Sequence, residues 1–124
     1  MRKPTRTQKK QNFPLKEKTK HNFSQLQAKI TFLCDIFLVE KIKNSLTSQH
    51  LAGNYQYPNL SYFFRSALHA YQHGMALTYQ RQNNPRKAIS FCLTEDLFSF
   101  YNSLPVCSKA EILERVLGSF YQKG

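Results

Sequence analysis

The spacing of apolar residues changes period between Arg86 and Tyr121, and that change restricts the fold more than any other feature of the chain. Ile89, Phe91 and Leu93 alternate with Ala88, Ser90 and Cys92, the two-residue repeat of a strand with one buried face. At Thr94 the repeat lengthens. Thr94 offers a hydroxyl able to cap a helix, and Glu95 and Asp96 follow where the helix dipole favours negative charge. Leu97, Phe100, Tyr101 and Leu104 then recur at helical spacing until Pro105 ends the run. Ser108 and Glu111 have the spacing of a capping box, which opens a second helix with an apolar stripe of Ile112, Leu113, Val116, Leu117, Phe120 and Tyr121. One short strand and two helices cannot bury that much apolar surface alone, so the unit needs a partner of its own kind.

The same order occurs earlier in the chain. Between Lys29 and Asp35, inward Ile30, Phe32 and Cys34 alternate with outward Lys29, Thr31 and Leu33. Asp35 stands where Thr94 stands, and Leu38, Val39, Ile42 and Leu46 continue at helical spacing. Thr47 to Pro58, with Gly53 and Asn54, reads as a loop or a frayed helix extension whose Tyr55 and Tyr57 can fold back. Asn59 can cap a further helix with Phe63, Phe64, Ala67, Leu68 and Tyr71 on its buried face. Both passes run strand, helix, turn, capped helix; the interval Asp35–Asn59 is ten residues longer than Thr94–Ser108. The segment Leu77–Pro85 connects them. About ten extended residues span roughly 33 Å, enough to lay the second strand antiparallel beside the first. Pairing within the chain is the favoured arrangement, and pairing between two chains is the other that the sequence leaves open.

Each half resembles a ribbon-helix-helix unit of the Arc/MetJ repressor family. The tail Ala110-Glu-Ile-Leu-Glu-Arg-Val-Leu-Gly-Ser-Phe-Tyr-Gln-Lys-Gly124 is similar to the family's second helix, and Asn59 to Leu68 resembles its common helix start. The resemblance implies a mostly α fold with a two-stranded antiparallel β-ribbon, two tandem ribbon-helix-helix repeats making a single-chain pseudo-dimer. The repeats would cover residues 29–76 and 87–124, joined by a linker at 77–86, with an arm at 1–28. It also implies that the ribbon enters the major groove of double-stranded DNA, with Lys29, Thr31, Leu33, Ala88, Ser90 and Cys92 facing the bases. The family usually carries longer polar or basic side chains at several of these places. The short Ala88, Ser90 and Cys92 therefore lead us to expect an asymmetric reader in which the first strand contributes more. Phosphates would be held by Asn59, Leu60 and Ser61 and by Ser108 and Lys109 at the two second-helix starts, with Arg86 and Lys87 beside them.

Charge points the same way. The chain of 124 residues has 18 Lys and Arg against 7 acids, a formal charge of +11. Much of the excess sits in Arg2, Lys3, Arg6, Lys9, Lys10, Lys16, Lys18 and Lys20, where Glu17 is the one acid and Phe13, Leu15 and Phe23 are the main apolar residues. Such a segment cannot offset the entropy of ordering, so a disordered basic arm suited to nucleic acid is expected. No apolar run follows it as in a signal peptide, and no stretch approaches the length of a membrane span. Three cysteines, odd in number and without metal-site spacing, suit a reducing cytoplasm, where a DNA-binding protein would associate with the nucleoid.

Other constellations carry less. His69 and His73 have metal-compatible spacing but no third ligand nearby. Phe63 and Phe64 suit a core better than base stacking, and Glu95 with Asp96 suits a helix start better than acid catalysis. Neither a nucleophile–base arrangement nor a Gly-rich phosphate loop is present, so no enzyme activity, cofactor or metal is expected. The resulting expectation is a DNA-binding transcriptional regulator acting as a repressor. The alternatives are a plasmid or viral accessory or architectural DNA-binding protein, and an antitoxin-like module that binds a partner protein.

Overall fold

A computed structural model describes residues 26–123, so the expected cations of the arm lie outside the described residues. Two strands, β1 (Leu26–Asp35) and β2 (Arg86–Thr94), pair antiparallel within the one chain. Around them are four helices among the described residues: α1 (Ile36–Leu51), α2 (Leu60–Gln72), α3 (Glu95–Asn102) and α4 (Lys109–Lys123). Each strand runs directly into a helix because a side chain waits at the junction to receive the first amides. Asp35 accepts from Phe37 N at 2.8 Å and from Leu38 N at 3.3 Å, and Thr94 accepts from Leu97 N at 3.3 Å.

The buried side of the ribbon follows the alternation. Ile30 faces Phe91 and Phe32 faces Ile89 across the ladder, over a core completed by Leu38, Val39, Ile42, Leu68, Leu97, Leu113 and Leu117. Phe64 from α2 stacks on Phe91 with ring centres 4.3 Å apart and lies 5.6 Å from Phe32, so one aromatic cluster ties both strands to this helix.

Several boundaries differ from expectation. β1 begins at Leu26, so residues 26–28 belong to the strand and not to the arm; a register irregularity lies between Leu26 and Ala28. Arg86, placed in the linker by the sequence, is the first residue of β2. Of the two readings open for Thr47 onward, a loop or a helix extension, the second holds as far as Leu51, and the chain then turns at Gly53, whose φ of 86° is costly for residues with a Cβ. Ser108 does not open a helix through a capping box. Pro105, with its fixed φ, begins a 3₁₀ turn at Val106–Ser108 whose backbone is already helical when it reaches α4, and Ser108 N donates to Pro105 O at 3.1 Å.

The connection at 77–85 is not a loose tether. Tyr79 is buried in the core, and a Cβ at Gly118 would run into its ring. Ser119 Oγ accepts from the amides of Thr78 and Tyr79 at 2.8 and 3.0 Å. Arg115 donates to the carbonyls of Leu77 and Tyr79 at 3.0 and 3.2 Å. None of the helices described is long and apolar enough to cross a membrane.

Candidate nucleic-acid interface

Antiparallel register places the six outward residues in three facing pairs: Lys29 with Cys92, Thr31 with Ser90, and Leu33 with Ala88. All six are exposed, so they make one continuous outer face of the ribbon. Its centre is tied across the strands, since Thr31 Oγ1 and Ser90 Oγ are hydrogen-bonded at 2.7 Å. Leu33 leaves 54% of its surface in solvent, an apolar side chain presented outward beyond that centre.

At the Lys29 end the outer face meets α2. Asn59 has extended backbone and accepts from Tyr62 N at 2.8 Å, which leaves the amides of Leu60 and Ser61 at the helix start without an intrahelical acceptor. A cleft of about 480 Å³ opens there, and its walls include Lys29, Ser90 and Cys92 from the ribbon and Asn59, Ser61 and Arg65 from the helix. The structure thus brings together residues expected on bases and residues expected on phosphate. Leu60, also expected on phosphate, is half-buried and its side chain packs against the core. Arg65 was not foreseen. It is 7% exposed, donates from Nη1 to Cys92 O at 3.2 Å, and burial lowers its guanidinium from the usual value. Its signal in the sequence was a charge placed between Phe64 and Ala67 on an otherwise apolar helix face.

The opposite end is organised around an acid. Glu114 on α4 is fully buried and receives Arg86 through Nε at 2.8 Å and Nη2 at 3.0 Å. Arg86 also donates to the carbonyls of Asn84 and Gln82, at 3.2 and 2.8 Å. The expectation of a phosphate contact from Arg86 is therefore replaced by an internal role, because its donors are directed at Glu114 and the connection. Arg81 lies 3.4 Å from the same carboxylate, and Asp35 N donates to it at 3.4 Å. Lys109 sets its ammonium 4.6 Å from the centre of the Tyr101 ring. Ser108 lies inside the 3₁₀ turn, while Lys87 is exposed and pairs with Cys34 in the ladder.

Asp35 joins this end to α1. Burial alone would raise its carboxyl, but the Asn84 amide at 2.9 Å, the amides of Phe37 and Leu38 and the Arg86 charge hold it below the ordinary carboxylate value. Burial, then the charges of Glu114 and Asp35, push the Cys34 thiol up to about 12, which leaves it a small apolar core residue. Cys92 and Cys107 are exposed.

His69 and His73 sit with rings 4.2 Å apart, and His73 Nδ1 is 2.9 Å from His69 O. Among the described residues no group of three or more His, Cys, Asp or Glu is placed to hold a metal ion. Phe63 and Phe64 are core residues. No family model, curated protein or solved structure matches the chain.

Proposed function

We propose that this chain is a DNA-binding transcriptional regulator of ribbon-helix-helix type, built as two strand-helix-helix units in one polypeptide. Its ribbon would lie in the major groove, which is about 12 Å wide and admits a two-stranded ribbon. The observation that carries the reading is the exposed face of Lys29, Thr31, Leu33, Ala88, Ser90 and Cys92, set beside a cleft that the start of α2 shares. Internal correspondence supports the two-unit architecture. Thr31 and Ser90 pair at the ribbon centre and are 59 residues apart, as are Ile30 and Ile89, Phe32 and Phe91, Asp35 and Thr94, and Leu38 and Leu97. Members of each pair occupy matching positions relative to their own strand and helix.

In this mechanism the Lys29 ammonium donates to guanine O6 or N7, and Leu33 touches a thymine methyl. The Leu60 and Ser61 amides and the α2 dipole receive a phosphate beside the groove. The cations at positions 2–20 add a sequence-independent attraction by releasing counterions. Regulation follows by occupying a promoter, which makes repression the simplest outcome and the nucleoid the working location. The test is fluorescence anisotropy of the full chain on random-sequence duplexes across a salt series. Binding that weakens steeply with salt is expected; no binding to duplex at about 50 mM salt, where phosphate contacts are strong, would reject the proposal. The short Ala88, Ser90 and Cys92 side chains favour one second reading, an accessory or architectural protein, and equal affinity for all duplexes would select it.

A further inference from the structure

The ladder register converts a difference between strands into a difference between ends. At one end of the outer face Lys29 stands opposite Cys92, beside the cleft that contains Asn59, Ser61 and Arg65. At the other end Leu33 stands opposite Ala88, two side chains without a polar atom. Arg86, which closes the ladder opposite Asp35 at that second end, is turned to an internal partner, held by Glu114 at 2.8 Å. Lys87 is exposed there but stands one residue from Ala88, on the alternate side of β2, where it adds charge without facing the groove floor. Between the ends, the hydroxyls of Thr31 and Ser90 share one of their two protons at 2.7 Å, so the central pair offers DNA one donor.

From this polarity we infer that the chain recognises a non-palindromic duplex site in one fixed orientation, with a G·C pair under the Lys29 end and A·T pairs under the Leu33 end. The inference rests on the DNA-binding proposal and adds the composition and direction of the site. A lysine ammonium finds its best acceptors on guanine, whereas Leu33 and Ala88 can gain only from the thymine methyl. A pairing of two identical chains would repeat one set of contacts in both half-sites. Here the position that matches Lys29 in the second strand is Ala88; each lies two residues before the central pair.

The experiment selects preferred sequences from randomised duplexes with the full chain, then repeats the selection with K29A and with A88K. Both positions are exposed, so neither change disturbs the core. The native chain should return a motif with guanine in one half only, and inverting that half should weaken binding about tenfold, in the range of one lost base contact. K29A should lose the guanine preference, and its affinity for the selected site should fall several-fold more than its affinity for random DNA. A88K should accept guanine in both halves, gaining about tenfold on a palindromic site. A palindromic motif from the native chain, or no change of the second half in A88K, overturns the inference while leaving duplex binding intact. Absence of any duplex binding rejects the DNA-binding proposal itself, and the inference with it.

Discussion

Arg65 and Glu114 occupy matching places on α2 and α4, six residues beyond Asn59 and Ser108, and carry opposite charges. Both are buried and both reach a strand backbone. Arg65 donates to the carbonyl of Cys92 and lines the cleft beside Lys29; Glu114 accepts from the amide of Asp35 and draws in Arg86 and Arg81. A cation at this place strengthens the positive character of its end of the ribbon. An acid at the same place neutralises its end and fastens the connection to the core. The two ends of the ribbon thus differ in the charge of one buried side chain on the helix beside each.

Removing the acid should have the largest effect. Glu114→Ala leaves the Arg86 guanidinium without its carboxylate and the Asp35 amide without its acceptor, a loss of about 3 kcal/mol, the low end for a broken buried pair because Arg86 keeps 22% of its side chain in solvent. Urea denaturation measures it. The double change Glu114→Leu with Arg86→Met should recover much of the loss, because two apolar groups need no partners. A single-variant cost under about 1 kcal/mol, the range of exposed pairs, would end the description of Glu114 as the anchor of that end.

Arg65→Ala should be milder for stability and different in kind. Leaving the Cys92 carbonyl without its donor costs about 1–3 kcal/mol, the range for a buried polar group that loses its partner. This variant should also weaken duplex binding, random-sequence duplexes included, whereas a folded Glu114 variant should not. Equal effects of the two on DNA affinity would erase the contrast between the ends.

The acid limb of stability gives a third test at the Glu114 end. The folded Asp35 carboxyl lies below its unfolded value, which is near 3.9, so its contribution is present above that pH and is lost as pH falls through the folded value. Asp35→Asn keeps a capping oxygen but removes the titration. Its unfolding free energy should therefore change less than that of the native chain as pH is lowered below about 4. Parallel pH curves for the two proteins would show that Asp35 is not a source of acid sensitivity.

What the sequence made legible was local. The strand alternation, the caps Asp35, Asn59 and Thr94, and the buried stripes of α1 and α2 each follow from chemistry within a few residues. Among the six outward residues, alternation alone was enough to assign the face. What escaped depends on the connection folding back on α4. Tyr79 is a single aromatic in a polar stretch, and Glu114, Gly118 and Ser119 lie beside the apolar stripe, so nothing periodic marks them as buried. Their burial is caused by one another: Gly118 makes room for the Tyr79 ring, and Ser119 receives its amide. The start of β1 was missed for a related reason, since Leu26 and Ala28 gain strand structure from pairing with Thr94 and Leu93 of β2 and not from their own pattern.

The smallest expected effect separates the two helix starts. Asn59 and Ser108 look equivalent in the sequence, but only Asn59 receives an amide of its helix, from Tyr62 at 2.8 Å, whereas α4 inherits a turn already formed after Pro105. Asn59→Ala should lower stability by about 1 kcal/mol, the usual value of a cap. Ser108→Ala should cost no more than a few tenths, as for an ordinary surface change of about ±0.5 kcal/mol. Thermal unfolding of the two variants side by side resolves the difference. If Ser108→Ala proved as costly as Asn59→Ala, the turn after Pro105 would not be what starts α4, and the two ends of the ribbon would be more alike than their side chains suggest.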